Sequence, residues 1–285
     1  MDIKKYIFRH PYEDRLFSQL MRHLLSFFIS KILNIKHIHI PYRNNDININ
    51  FAKIYKINNL IDEISANHDI NKLRRDKIGY SEPDQNLVGL NNSSKRYFDI
   101  NEIFSESNIK LMKSSYKLNK ISKDYLLTDI NVCLHIRRGD IVKYGNSCGR
   151  YTSTDFFINN IINIQRILEN KCTFHIYSDS KINLNVQNDI NISRCNIKYH
   201  NTDLLTEVNE MINSDIFIMS IGSNVSHFVG LHTSGIVFLD KDKLKPCFNN
   251  KYNIYWSKYK NFITEEEQFN KEIYSRFKCS DVKQN

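Results

Sequence analysis

Glycine and proline are scarce in this chain, at 8 and 4 of 285 residues. Neither a G-x-G-x-x-G loop nor a G-x-x-x-x-G-K-[ST] loop occurs, which excludes the two common Gly-rich phosphate cradles. A nucleotide held by this chain must be held by side chains and helix ends. The six cysteines, at positions 133, 148, 172, 195, 247 and 279, include no C-x-x-C pair. That spacing suggests neither a zinc site nor a disulfide framework, and the cysteines read as reduced thiols. No apolar run approaches the ~20 residues of a membrane-spanning helix. The most apolar stretch, residues 24–30, is bracketed by Arg22, His23 and Lys31. Met1-Asp2-Ile3-Lys4-Lys5 leads into no apolar segment with a small-residue cleavage site, so a cytoplasmic location is expected.

What is present describes a folded chain. Hydrophobic residues make up 41% and aromatics 12%, and the length suits about two domains. Forty Lys and Arg against 31 Asp and Glu give a formal charge of +9. A basic balance favours an anionic partner: a nucleotide, a nucleic acid or an anionic membrane face. The charge is spread along the chain, and no RNP, zinc-finger or helix-turn-helix pattern accompanies it, which argues against nucleic acid.

Apolar residues at 16, 17, 20, 21, 24, 25, 28 and 32 predict a helix over 14–33 with a broad apolar face. Residues 36–40 read as a short strand stopped by Pro41, and residues 51–125 show no clear period. The second half alternates. Strands are predicted at 131–136, 172–177, 196–200, 215–220 and 235–239, with helices at 154–170, 203–213 and 226–233. Ser153 or Thr154 serves as an N-cap. Such alternation implies β-α-β units on a parallel sheet, a Rossmann-like domain over about 127–245. Helical stretches follow between 252 and 277, with Glu265-Glu266-Glu267 on an exposed face.

In open parallel sheets, ligands bind beyond the carboxyl ends of the strands. Three such ends are polar here: His135-Ile136-Arg137-Arg138-Gly139-Asp140, Tyr177-Ser178-Asp179-Ser180 and Ser220-Ile221-Gly222-Ser223-Asn224-Val225-Ser226. Each suits one part of a nucleoside diphosphate. The planar guanidinium of Arg137 or Arg138 can clamp a pyrophosphate, and strand alternation would point only one of them inward. Asp179 can accept from the guanine ring N–H and exocyclic amine, a donor pair that adenine and uracil lack. Ser223 and Asn224 open a helix whose N–H groups attract phosphate.

His135 to Asp140 resembles the H-x-R-R-x-D motif of the fucosyltransferase superfamily, and the Gly-Asp ending is most similar to the α-1,2 group. Phe156-Phe157 resembles the paired aromatics that follow that motif. Residues 174–179 resemble the second motif, a strand ending in Ser-Asp, and residues 211–230 the third, a strand with a Ser-rich turn and helix. The match spans about 110 residues. It implies an α/β, GT-B-like fold of two Rossmann-like domains facing a cleft. The expected parts are an acceptor-side domain over 1–125, a GDP-sugar-binding domain over 126–250, and a tail over 251–285 packing back on the first domain.

The resemblance also implies metal-independent, inverting transfer of L-fucose from GDP-fucose to an oligosaccharide or glycolipid hydroxyl, with no cofactor. By position, Arg137 would stabilise the β-phosphate, and His135 and Asp179 would contact guanosine. Ser223 and Asn224 would sit at the phosphates, Ser226 would hold their turn, and Arg138 and Asp140 would shape the site. Work at an anionic membrane face fits the charge.

Two features depart from the family pattern. The Gly-rich N-terminal loop corresponds to Asp14-Arg15-Leu16-Phe17-Ser18-Gln19, which keeps only Gln19. Gly145 stands where the α-1,6 enzymes carry a candidate base, leaving Asp140, Glu13, Asp14 or His10 for that role, or no base. Asp240-Lys241-Asp242 matches a D-x-D metal motif but follows the last strand in a charged run, and reads as a solvated turn. The competing readings are transfer from another GDP-sugar such as GDP-mannose, a non-catalytic GDP-binding module, and a basic nucleic-acid-binding protein.

Overall fold

The computed structural model describes residues 6–8, 16–32, 36–39, 54–55, 61–63, 79–81, 103–117, 121–122, 125, 130–142, 151–169, 171–180, 182, 195–240 and 262–278. The chain divides into two compact units, 1–118 and 119–285. The expected boundary, 125/126, lies a few residues later. His10, Glu13, Asp14, Gly145, Lys241 and Asp242 lie outside the described residues.

The first unit carries a four-stranded parallel sheet, β3-β2-β1-β4, from β1 (Tyr6–Phe8), β2 (Lys36–His39), β3 (Ile61–Glu63) and β4 (Gly79–Ser81). Helix α1 (Leu16–Ile32) joins β1 to β2, and its buried Leu16, Phe17, Leu20, Leu24 and Phe28 realise the apolar spacing read from sequence. Helix α2 (Glu106–Ser115) buries Met112, and its Asn108 accepts from Lys31 Nζ of α1 at 3.0 Å.

The second unit holds a six-stranded parallel sheet in the order β10-β9-β8-β5-β6-β7. Its strands are β5 (Ile130–Ile136), β6 (Cys172–Ser178), β7 (Asn196–Tyr199), β8 (Ile216–Ile218), β9 (Ile236–Phe238) and β10 (Phe262–Ile263). Helix α3 (Thr154–Leu168) links β5 to β6, α4 (Leu204–Ile212) links β7 to β8, and α5 (Asn224–His232) links β8 to β9. Their starts are set by capping side chains. Ser153 accepts from Phe156 N–H, Asp203 from Thr206 N–H and Ser223 from Ser226 N–H. Helix α5 therefore begins two residues earlier than its apolar pattern suggests.

The two faces of this sheet differ. Val132, Leu134, Ile136, Phe174 and Ile176 point to one face, where Phe157, Ile161 and Ile164 of α3 complete a dry core. The opposite face carries Asn131, Cys133, His135, His175 and Tyr177. There Glu210 of α4, fully buried, accepts from Tyr177 O–H at 2.9 Å and Ser122 N–H at 3.0 Å. His175 bonds Asn131 Oδ1 and His200 Nε2, each at 2.9 Å. Polar groups on that face are paired with one another, as burial demands.

The tail requires a correction. Residues 262–278 belong to the second unit, whereas the sequence reading packed them on the first domain. Strand β10 extends the sheet beside β9, and Phe269 and Ile273 of α6 (Glu266–Ile273) are fully buried in the dry core. Phe269 stacks on Phe238 with centroids 4.2 Å apart. Gly230 makes room for this: a Cβ there would meet the Phe262 ring at 2.6 Å. The exposed acidic run at 265–267 stands as expected.

Candidate functional site

Strand order reverses at β5. The chain leaves β5 toward α3 on the dry face, and leaves β8 toward α5 on the polar face. Loops departing to opposite faces open a crevice at this switch point, the favoured ligand position in open α/β sheets. Residues 137–140 and 219–223 form its two sides.

The two arginines separate as alternation predicts. Arg138 turns inward and is 8% exposed. It donates to Arg137 C=O, Thr152 C=O and Thr154 Oγ1, each at 3.0 Å, and lies 4.5 Å over the Tyr151 ring. Burial lowers its pKa, and these partners keep it a structural cation tying the start of α3 to the end of β5. Arg137 turns to the switch point. One terminal nitrogen donates to Gly222 C=O at 2.5 Å, the other to Asp140 at 2.9 and 3.2 Å. Its buried Nε has no partner among the described residues.

The turn after β8 is held from several sides. Arg137 N–H donates to Ser220 Oγ at 3.0 Å, and Ile221 N–H to Thr152 Oγ1 at 3.3 Å. Ser226 is fully buried; its Oγ accepts from Ser220 N–H at 3.2 Å and lies 2.6 Å from His135 Nδ1. The Ser226 hydroxyl hydrogen is best placed on His135 Nδ1, which leaves the ring hydrogen on Nε2. Burial pushes the His135 pKa down to about 4, against the opposing pull of Asp179, so the ring is neutral at pH 7. Ser223 caps α5. Among the described residues the N–H groups of Asn224 and Val225 have no acceptor, and they open the positive end of the helix.

Asp179, at the end of β6, accepts from Arg138 N–H at 2.7 Å and Gly139 N–H at 2.9 Å, both on Oδ1. Its carboxylate is exposed. The close approach needs glycine at 139, where a Cβ would stand 2.5 Å from Asp179 Oδ2.

All eight residues singled out from sequence (His135, Arg137, Arg138, Asp140, Asp179, Ser223, Asn224 and Ser226) thus meet around one switch point. Sequence reasoning missed Thr152 and His227 and gave Ser220, named only within a polar strand end, no role of its own. His227 is 3% exposed, bonds the Ile221 backbone and lies close to Arg137 and His135, and burial pushes its pKa down to about 3. Helix α5 is buried on every side from Ser226 to His232, so periodicity could not single His227 out. Ser220 had a signal, a hydroxyl at a strand end; Thr152 had none. Among the described residues no cluster of three His, Cys, Asp or Glu could hold a metal, and no helix is long and apolar enough to cross a membrane.

No protein-family model and no curated protein matches the sequence. Solved structures do match. The apo form of POFUT1 aligns at TM-score 0.51 and 12% identity, over 81% of this chain and 95% of that one. POFUT1 in complex with GDP-fucose aligns at TM-score 0.51 and 13% identity, over 81% and 95%. NodZ alpha-1,6-fucosyltransferase soaked with GDP-fucose aligns at TM-score 0.45 and 9% identity, over 81% and 93%. The α/β, GT-B-like class expected from sequence is the fold the chain shares with POFUT1.

Proposed function

We propose that this chain is a metal-independent, inverting fucosyltransferase that uses GDP-fucose. The observation carrying the proposal is the Arg137 guanidinium, fixed at the switch point beside the open N–H groups of α5. The likeness in fold to POFUT1 in complex with GDP-fucose supports the donor. The Gly-Asp ending of the first motif supports an α-1,2 linkage.

Each terminal nitrogen of Arg137 carries a second hydrogen beyond those held by Gly222 and Asp140. We assign those hydrogens, with Asn224 and Val225 N–H, to the diphosphate. As GDP departs, charge grows on the β-phosphate where these donors already point. Such preorganised stabilisation is worth several kcal/mol. Arg137 and the helix end supply the positive charge that a divalent ion would otherwise supply. Asp179, anchored through one oxygen, faces guanine with the other. An acceptor hydroxyl attacks the anomeric carbon opposite the leaving group, giving an α-linked product. A carboxylate paired with a guanidinium is a weak base, so Asp140 fixes the Arg137 fork. The acceptor we envisage is an oligosaccharide or glycolipid precursor at the cytoplasmic membrane face, in keeping with the +9 charge.

The test is product formation from GDP-fucose with a panel of glycan acceptors in EDTA, alongside GDP-mannose. Turnover from GDP-fucose alone supports the proposal. Turnover only with added metal, or only from another donor, contradicts it.

A further inference from the structure

Strands β6 and β7 run in parallel register with Thr173 beside Asn196 and Phe174 beside Ile197. That register, continued one step back past the start of β7, puts Cys172 beside Cys195, and the two interact electrostatically. Neighbours in a parallel pair share a face and stand about 4.8 Å apart, within the Cα separation a disulfide accepts. Side chains at this end do meet across the pair: Asn196 Nδ2 donates to Thr173 Oγ1 at 2.8 Å. Cys172, 4% exposed, and the half-buried Cys195 pack in the same apolar cluster, and neither is in a disulfide. Burial pushes the Cys172 thiol up to about 12, and Cys195 adds to that rise, as a nearby second sulfur would.

We propose that Cys172 and Cys195 form a reversible, redox-responsive dithiol that closes to a disulfide with a low-molecular-weight disulfide as oxidant. Cys195, the accessible partner, attacks first. Its thiolate bonds one sulfur of the oxidant and expels the other as a thiol. Cys172 then loses its proton and attacks the Cys195 sulfur, forming the Cys172–Cys195 bond and expelling the second small thiol. Two protein thiols are oxidised and one small disulfide is reduced to two thiols. The high pKa of Cys172 makes this second step slow at neutral pH and faster as pH rises. The bond ties edge strand β7 to β6, the strand that ends at Asp179. It encloses residues 173–194 and restricts the unfolded chain.

The test uses the full reduced chain incubated with excess oxidised glutathione at pH 8, alkylated, digested and mapped by mass spectrometry. The expected result is a peptide pair joined through Cys172 and Cys195, opened by dithiothreitol, with Tm raised by about 5–10 °C. Cys195→Ser removes both the crosslink and the rise; Cys195→Ala serves should that variant fail to fold. The proposal is overturned if Cys195 stops at a glutathione adduct, if both cysteines stay alkylatable, or if either pairs with another cysteine.

Discussion

Arg137 is the residue on which the proposed chemistry turns, and its neighbours define what substitutions do. Arg137→Ala removes the fixed donors and should lower kcat with GDP-fucose by about 10²–10³-fold, the cost of losing one preorganised charge-stabilising group. The circular dichroism spectrum and Tm should hold, because Arg138 carries the structural contacts. Arg137→Lys should fare little better, since a point charge cannot keep Gly222 and Asp140 while reaching the phosphate. Asp140→Asn keeps a neutral hydrogen bond and should cost only about tenfold. Side-by-side initial rates of the three variants test this ordering, and an Asp140→Asn loss matching that of Arg137→Ala would make Asp140 more than a positioning group. Gly139→Ala drives a methyl against Asp179 and should weaken GDP binding, measurable by titration calorimetry.

Capping and packing decide the elements that hold these residues. Ser223→Ala removes the α5 cap and should cost about 1 kcal/mol in chemical denaturation. Phe269→Ala opens the dry core under β9 and should cost about 3–5 kcal/mol; a loss under 1 kcal/mol would argue against the tail's place in that core. In the second unit β5, β6, β8 and β9 were legible as buried apolar runs, and α3, α4 and α5 as apolar patterns behind a capping Ser or Asp. The first unit was less so. Its strands β1, β3 and β4 are three residues each, too short for a period to emerge, and only α1, with its broad apolar stripe, and β2, ahead of Pro41, stood out. The tail was misplaced because two residues of β10 give no strand pattern, and what seats them, the missing side chain of Gly230 against the Phe262 ring, lies in α5. Strand ends revealed Arg137, Asp179 and Ser226. Thr152 was invisible because its partner Ile221 lies 69 residues further along the chain.

Across the second unit, three buried histidines give stability a definite pH dependence. His135 is pushed down to about 4, and His175 and His227 to about 3, each mainly by burial. An unfolded histidine titrates near 6.5. Between that value and the folded values the unfolded chain binds protons that the folded chain refuses, so stability falls as pH drops from about 6.5 toward 4. Each histidine contributes a slope of up to about 1.4 kcal/mol per pH unit. Asp215 and Glu207, raised by burial, pull the other way at the acid end. Urea midpoints at pH 7 and 5 should show a clear loss at pH 5, and equal midpoints would contradict the neutral, buried state of these rings.

The most direct test of the central claim, that this switch point holds a guanosine diphosphate through Arg137, is a thermal-shift panel of GDP, GMP, ADP and UDP with EDTA, on the native chain and on Arg137→Ala. At ~100 times its Kd a ligand adds about 2.7 kcal/mol of stability. The account predicts a shift of several degrees for GDP in EDTA, smaller shifts for the others, and loss of the GDP shift in Arg137→Ala. Equal shifts for all four nucleotides, or a GDP shift that survives the substitution, would contradict it.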